Sequence, residues 1–218
     1  MIPVVCIDGP GGAGKGTIAK AVAQQLGYHI LDSGAIYRVM ALAALKHNLQ
    51  ITQLAELVQL ASHLDVAFEF TQDKSSTLLD GEDVSDKLRE EATASKASEL
   101  AVMPEIRAAL LQRQKDFAEL PGLVADGRDM GTIVFPDAPY KFFLTASAQE
   151  RAERRQKQLQ EQGLDVSIAT LLKAIKERDE RDRNRTVAPL LPADDAIEID
   201  TTELNIDEVV KRVMKEIT

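Results

Sequence analysis

Gly9-Pro10-Gly11-Gly12-Ala13-Gly14-Lys15-Gly16-Thr17 is a glycine-rich turn set between two apolar stretches of different period. Before it, Ile2 to Ile7 is a short, partly β-branched run that reads as a strand, and Asp8 leads into the turn. After it, Ile18, Ala21, Val22 and Leu26 recur at helical spacing, with Gly27 as the stop. A glycine-rich turn that leaves a strand and opens a helix is the setting of a phosphate-binding loop. Glycines let backbone N–H groups turn inward around an anion, and the helix N-terminus adds partial positive charge. Lys15 is placed to reach the β and γ phosphates of a nucleotide. The usual pattern has Ser or Thr directly after the lysine; here Gly16 intervenes and Thr17 follows.

Outward from the loop, the chain alternates. His29-Ile30-Leu31 predicts a second strand, and Asp32 or Ser33 caps a helix through Tyr37, Met40, Ala41 and Leu45. Leu123-Val124-Ala125, Lys141 to Leu144 and Ile197 to Ile199 predict further strands, with helical stretches between and after them. This rhythm predicts an α/β fold with a parallel sheet and helices on both faces. From about His63 to Glu91 the pattern changes. Val66 to Phe70 and Thr77 to Leu79 read as strands, Gln72 to Ser76 as a polar turn, and Gly81 to Val84 as a second turn with a possible third strand. That predicts a small antiparallel β lobe inserted in the core. Ser85 to Phe117 predicts two helices broken near Pro104, and Asp182 to Pro192 a loop.

Composition narrows the class. The chain has 218 residues, 44% hydrophobic and 28% charged, and a net charge of -9. A protein that grips long nucleic acid by its backbone carries a basic face, so polymeric nucleic acid is not the expected partner. The longest apolar run, Val39 to Leu45, falls far short of the roughly 20 residues of a membrane span. Met1 to Cys6 lacks the features of a signal peptide, and Cys6 is the only cysteine. A cytoplasmic protein is expected. No heptad or exposed apolar stripe stands out, so the expected state is a monomer. Two segments are locally basic. Arg151 to Lys157 sets Arg151, Arg154, Arg155 and Lys157 against Glu153, and Lys173 to Arg185 holds six cations and four anions. Solvated helix faces are the commoner meaning of such runs.

The Lys-Gly-Thr ending of the loop resembles the nucleoside monophosphate kinases. Three further segments resemble the bacterial cytidylate kinase family within that group: Asp32-Ser33-Gly34-Ala35-Ile36-Tyr37-Arg38, Asp126-Gly127-Arg128-Asp129-Met130-Gly131-Thr132, and Arg178-Asp179-Glu180-Arg181-Asp182-Arg183-Asn184-Arg185. The likeness extends from about Ile2 to Glu216. It implies a P-loop NTPase-type core at about 1–62 and 118–218, an acceptor-binding lobe at about 63–117 and a lid at about 151–165. Gly163 is then a hinge or helix stop.

The implied reaction moves the γ-phosphoryl group of ATP to CMP or dCMP. The acceptor phosphate has a second pKa near about 6, so it is largely deprotonated at neutral pH and needs no general base. His29, His47 and His63 sit in no catalytic setting. Catalysis reduces to positioning and charge neutralisation. The resemblance implies that Gly9 to Thr17 and Arg154 bind ATP, and that Lys15, Arg128, Arg178 and Arg185 are catalytic. Thr17 and Asp126 hold Mg²⁺; Asp126 sits at a strand end, where capping the next turn is the alternative. Ser33, Tyr37, Arg38, Ser98, Arg107, Arg128, Asp129, Arg178, Asp182 and Arg185 bind the acceptor, with Asp129 and Arg107 reading the cytosine edge. A carboxylate suits the N4 amino donor and a guanidinium suits N3 and O2. Spacing alone favours ion pairs for Arg107, with Glu105 or Asp116, and for Arg178, Arg181, Asp182 and Arg185. The last four share one face only while a helix persists. Two rivals remain open: a kinase for thymidylate or for a sugar-acid hydroxyl, with Asp32 as base, and a nucleotide switch. The Asn-Lys-x-Asp guanine motif of GTPase switches is absent.

Overall fold

The computed structural model describes residues 2–70, 75–161 and 163–217. In chain order the elements are β1 (Val4–Asp8), α1 (Lys15–Leu26), β2 (His29–Asp32), α2 (Ser33–Lys46), α3 (Leu54–Ser62), β3 (Val66–Phe70), β4 (Ser75–Leu79) and β5 (Glu82–Asp83). There follow α4 (Glu91–Leu100), α5 (Pro104–Lys115), β6 (Leu123–Gly127), a π-helical turn (Met130–Val134), β7 (Tyr140–Thr145), α6 (Ala148–Glu161), α7 (Ile168–Arg183), β8 (Ile197–Asp200) and α8 (Ile206–Ile217). Five strands form one sheet in the order β2-β6-β1-β7-β8, with helices on both faces. β1 runs parallel to both neighbours, with Val4 opposite Leu123, Asp8 opposite Gly127, and Asp8 opposite Phe143. The α/β expectation holds. No helix of the described residues is long and apolar enough to cross a membrane.

The chain divides into two compact units. The first comprises 1–30 and 119–218, the second 31–118. In the first, alternation along the strands turns Val5, Ile7, Val124, Phe142 and Leu144 onto one face. There they meet Ile18, Ala19 and Val22 of α1 and Val209, Val210 and Val213 of α8. β1 is buried at every position, Asp8 included, so the strand delivers a carboxylate and the start of the loop to the end of a dry core. The second unit carries the antiparallel sheet β3-β4-β5, with Val66 opposite Leu79 and Leu78 opposite Asp83. Arg113 of α5 donates to the Val66 carbonyl at 2.6 Å, and its guanidinium lies over the Phe117 ring.

Several local expectations shift. Ser75 and Ser76 pair within β4 rather than forming the turn, and residues 72–74 lie outside the described ones. The expected loop from Asp182 begins later, because α7 continues to Arg183 and closes on Asn184, whose N–H bonds the Glu180 carbonyl. Asp32 is the cap of α2, accepting from Ala35 N at 2.9 Å. The break between α4 and α5 falls as Pro104 predicts, with proline in the first turn of α5.

Candidate active site

β1 ends at Asp8 and the glycine loop turns directly into α1. Gly9 has φ +145°, and a side chain there would drive into the Leu144 carbonyl of β7. Only glycine lets the loop leave the sheet so closely. Lys15, in the first turn of α1, folds back and donates to the Pro10 carbonyl at 3.0 Å, with its ammonium 3.8 Å from Asp126. It is 7% exposed. Burial pushes its ammonium below the ordinary lysine range; Asp126 opposes this, while Arg128 and Arg178 add to it. Lys15 thus sits buried between the carboxylate of Asp126 and the guanidinium groups of Arg128 and Arg178. The loop is also braced from behind. Arg151 of α6 donates to the Gly11 carbonyl at 2.8 Å and to Ala146 at 3.1 Å, and pairs with Asp179 of α7 through both guanidinium nitrogens.

A second group converges on the loop from other elements. A Cβ placed on Gly11 would lie 3.3 Å from Arg128 Nη2 and 3.4 Å from Arg178 Nη1. Two arginines about 50 residues apart in sequence thus share the space above the loop's backbone. Asp182 is 3% exposed and takes both Arg128 and Arg185 on its carboxylate. Burial alone would push Asp182 up, but Arg128 and then Arg185 hold it below the usual carboxylate range. Arg185 reaches this carboxylate from beyond the helix, since α7 ends at Arg183. The condition for a single helical face therefore fails before Arg185. Arg181 is exposed, with Nε on the Glu177 carbonyl, and takes no part in the cluster. Arg154 binds Glu150 and the Thr201 carbonyl, which seats it on the loop after β8. Arg155 is exposed.

Asp126 and Thr17 supply oxygen to the same corner. A Cβ on Gly16 would sit 3.3 Å from Asp126 Oδ2, so the carboxylate stands against the first turn of α1, where Thr17 is exposed. Glycine at position 16 keeps that approach open. Carboxylate and hydroxyl oxygens suit a hard divalent cation whose other ligands come from phosphates and water. Among the described residues there is no group of three His, Cys, Asp or Glu that forms a self-sufficient metal site.

Between Arg128 and the π-helical turn lies Asp129, buried at 4% exposure. Its carbonyl accepts from Ile133 N at 2.9 Å and Val134 N at 3.2 Å. The next two N–H groups, of Met130 and Gly131, donate to the two carboxylate oxygens of Asp8 at 2.9 and 2.8 Å. Burial pushes the Asp8 carboxyl up to about 6 against the pull of these two bonds; Asp129 raises it further and Lys15 lowers it.

The second unit carries its own polar cluster. Arg107 is buried, donates to the Ala101 carbonyl at 3.2 Å and lies over the Tyr37 ring at 5.7 Å. Ser33 donates to Gln114 Oε1 at 2.8 Å. Tyr37 is buried on α2, Arg38 is half-buried beside it, and Ser98 is half-buried on α4. His29, His47 and His63 are all exposed; His29 and His63 meet the backbone carbonyls of Leu120 and Gln59.

The model of the family described as cytidylate kinase matches residues 5–218. The chain belongs to the cytidylate kinase family. It is 60% identical over 214 residues to the cytidylate kinase of Klebsiella pneumoniae (strain 342), covering 98% of this chain and 94% of that one. It is 58% identical over 212 residues to that of Serratia proteamaculans (strain 568), covering 97% and 93%. An uncharacterized protein from Eubacterium ventriosum ATCC 27560 shares the fold, with a TM-score of 0.52 at 14% identity over 100% of this chain and 98% of that one.

Three contributors escape sequence reasoning in this cytidylate kinase-family chain: Asp8, Asp179 and Gln114. Asp8 looked like the lead-in to a turn, and Asp179 like one anion in a mixed helix. Gln114 carries no signal. Each acts on a partner distant in sequence, which only packing reveals.

Proposed function

We propose that this protein transfers the γ-phosphoryl group of ATP to CMP or dCMP, giving ADP and CDP or dCDP. What carries the reading is the convergence of Lys15, Arg128 and Arg178 on the glycine loop in a chain of this family. The acceptor's phosphate oxygen forms the new bond to the γ-phosphorus as the bond to the β-bridging oxygen breaks, and ADP leaves with that electron pair. Charge spreads over the transferring group, so fixed cations are the main catalytic resource. Loop N–H groups from Gly9 to Thr17 hold the donor phosphates, with Lys15 on the β and γ oxygens and Arg154 at the nucleotide. Arg128, Arg178 and Arg185 neutralise the moving group and the acceptor phosphate. Asp182 holds Arg128 and Arg185 in place and serves the acceptor ribose.

Thr17 and Asp126 would hold the Mg²⁺ that accompanies ATP, and a bound ion there would supply further neutralisation of the phosphates. Ser33, Tyr37, Arg38, Ser98 and Arg107 bind the acceptor, and Asp129 and Arg107 read the cytosine edge. The acceptor-binding lobe spans about 63–117. The segment at about 151–165, which contains Gly163 with φ +77°, acts as the lid that excludes water. The protein works as a cytoplasmic monomer on two small nucleotides, without polymeric nucleic acid or membrane.

The test is ADP release from ATP-Mg²⁺ with CMP, dCMP, UMP, dTMP, AMP or no acceptor. Turnover should depend on CMP or dCMP and be much weaker with UMP. Preference for another nucleotide would reassign Asp129 and Arg107. Turnover indifferent to every acceptor would favour a nucleotide switch.

A further inference from the structure

Asp8 and Lys141 are buried charged residues of the first unit, and neither belongs to the phosphate-binding set. Asp8 occupies the last position of β1 and Lys141 a position in the adjacent strand β7. Both close on the segment between β6 and β7. Asp8 spends both carboxylate oxygens on consecutive N–H groups, those of Met130 and Gly131. Lys141 reaches the far end of the same segment and donates to the Pro136 carbonyl at 2.5 Å. Asp195 balances its charge, with both oxygens at 2.9 Å.

The segment is held tightly at two glycines. A Cβ on Gly131 would stand 3.1 Å from Lys141 Cδ and 3.4 Å from Asp8 Oδ2. A Cβ on Gly127 would stand 2.7 Å from Met130 Cγ, so the turn folds back onto its own strand. Between these points sit Arg128 and Asp129. The charged groups acting on Asp8 are Asp129, from the segment it holds, and Lys15, from α1; Lys141 of β7 packs against Gly131 beside it.

A buried carboxylate and a buried ammonium are costly places to put charge when apolar side chains could fill the same volume. Their work here is directional. Two bonds from one carboxylate to successive peptides set the plane of the chain directly after Asp129, which a packed apolar side chain cannot do.

We propose that Asp8 and Lys141 are positioning residues for acceptor selectivity: they lock the segment 127–136 and so aim the Asp129 carboxylate at the acceptor base. This rests on the acceptor reading given above. Asp8 also adjoins Gly9, so a purely structural role at the loop would disturb the donor instead, and the two roles separate kinetically.

The experiment compares wild type, Asp8→Asn and Lys141→Met in steady-state kinetics with CMP, UMP and ATP, alongside thermal melts. Asn can accept only one of the two bonds well, and Met keeps the stem against Gly131 while losing the ammonium. The expected result in each variant is a KM for CMP raised about tenfold and a CMP-to-UMP preference in kcat/KM reduced about tenfold, with KM for ATP within about twofold of wild type. Equal losses on CMP and UMP, a shift in KM for ATP as large as that for CMP, or lowered Tm with unchanged selectivity would each overturn the proposal. If Asp8→Asn does not fold, Lys141→Met decides from the opposite end of the segment. Failure of both to fold would assign the pair to stability and overturn it too. A wild type that does not prefer CMP to UMP would instead remove the base-reading role of Asp129 on which the inference rests.

Discussion

Asp8 and Asp182 are both buried carboxylates of one compact unit, yet their surroundings drive them in opposite directions. Asp8 faces backbone N–H groups, the like charge of Asp129 and the opposing charge of Lys15, and burial prevails, raising it to about 6. Asp182 sits between Arg128 and Arg185, and the guanidinium groups overcome burial. One corner is organised by peptide dipoles around a turn, the other by full charges around a carboxylate. The same residue type therefore serves shape in one place and charge in the other. Lys15 stands within reach of both, attracted to Asp126 and Asp8 and opposed by Arg128 and Arg178.

The largest effect should come from Lys15→Ala, which removes the cation where these fields meet. Turnover should fall by about 10³-fold, roughly 4 kcal/mol of transition-state stabilisation. Single-turnover rates would show it, and a loss below tenfold would mean that the arginine corner carries catalysis by itself. Next is Asp182→Ala, which leaves Arg128 and Arg185 facing each other with no anion between them. Stability should drop by about 3 kcal/mol, the usual scale for breaking a buried pair. Denaturant melts at neutral pH check this, and unchanged stability would mean the pair is an incidental contact. Because the folded value for Asp182 is depressed, its contribution is present above about pH 4 and is lost as pH falls through that lowered value.

The pH response of Asp8 should have the opposite sign. Its folded value is raised from 3.8 to about 6, so the folded protein binds more protons than the unfolded chain between those pH values. Its contribution is full below about pH 4 and is lost as pH rises through about 6, a change of up to about 3 kcal/mol. Melts of wild type and Asp8→Asn from pH 4 to 7 would isolate it, since the variant lacks that slope. Identical slopes would dissolve the contrast between the two aspartates. The smallest effect expected is on selectivity. Asp129→Ala should weaken CMP turnover about tenfold more than UMP turnover, near 1.4 kcal/mol. Equal losses on both acceptors would take Asp129 out of base recognition.

The loop corner was legible in the sequence because its parts are contiguous. Strand, glycines, lysine and helix follow one another within Val4–Leu26, and each acts through its immediate neighbours. The arginine corner was legible only through a family resemblance. Spacing put Arg178, Arg181, Asp182 and Arg185 on one face only if the helix persisted that far; the helix stops at Arg183, Arg181 is exposed, and Arg128 arrives from another element. Asp8 carried no signal, since a carboxylate before a glycine turn is an ordinary feature of loops.

Sequence alone determined the α/β class and the glycine loop between strand and helix, because both follow from local pattern and residue chemistry. Tertiary structure alone decided which charges meet. Asp8 bonds Met130 and Gly131, Asp182 gathers Arg128 and Arg185, and Arg151 braces Gly11 through pairs separated by up to 140 positions. Those partnerships depend on strand order and helix packing, and periodicity does not encode them. Burial then sets how strongly each pair acts, because the same carboxylate is driven up among peptides and held down among guanidinium groups once water is excluded.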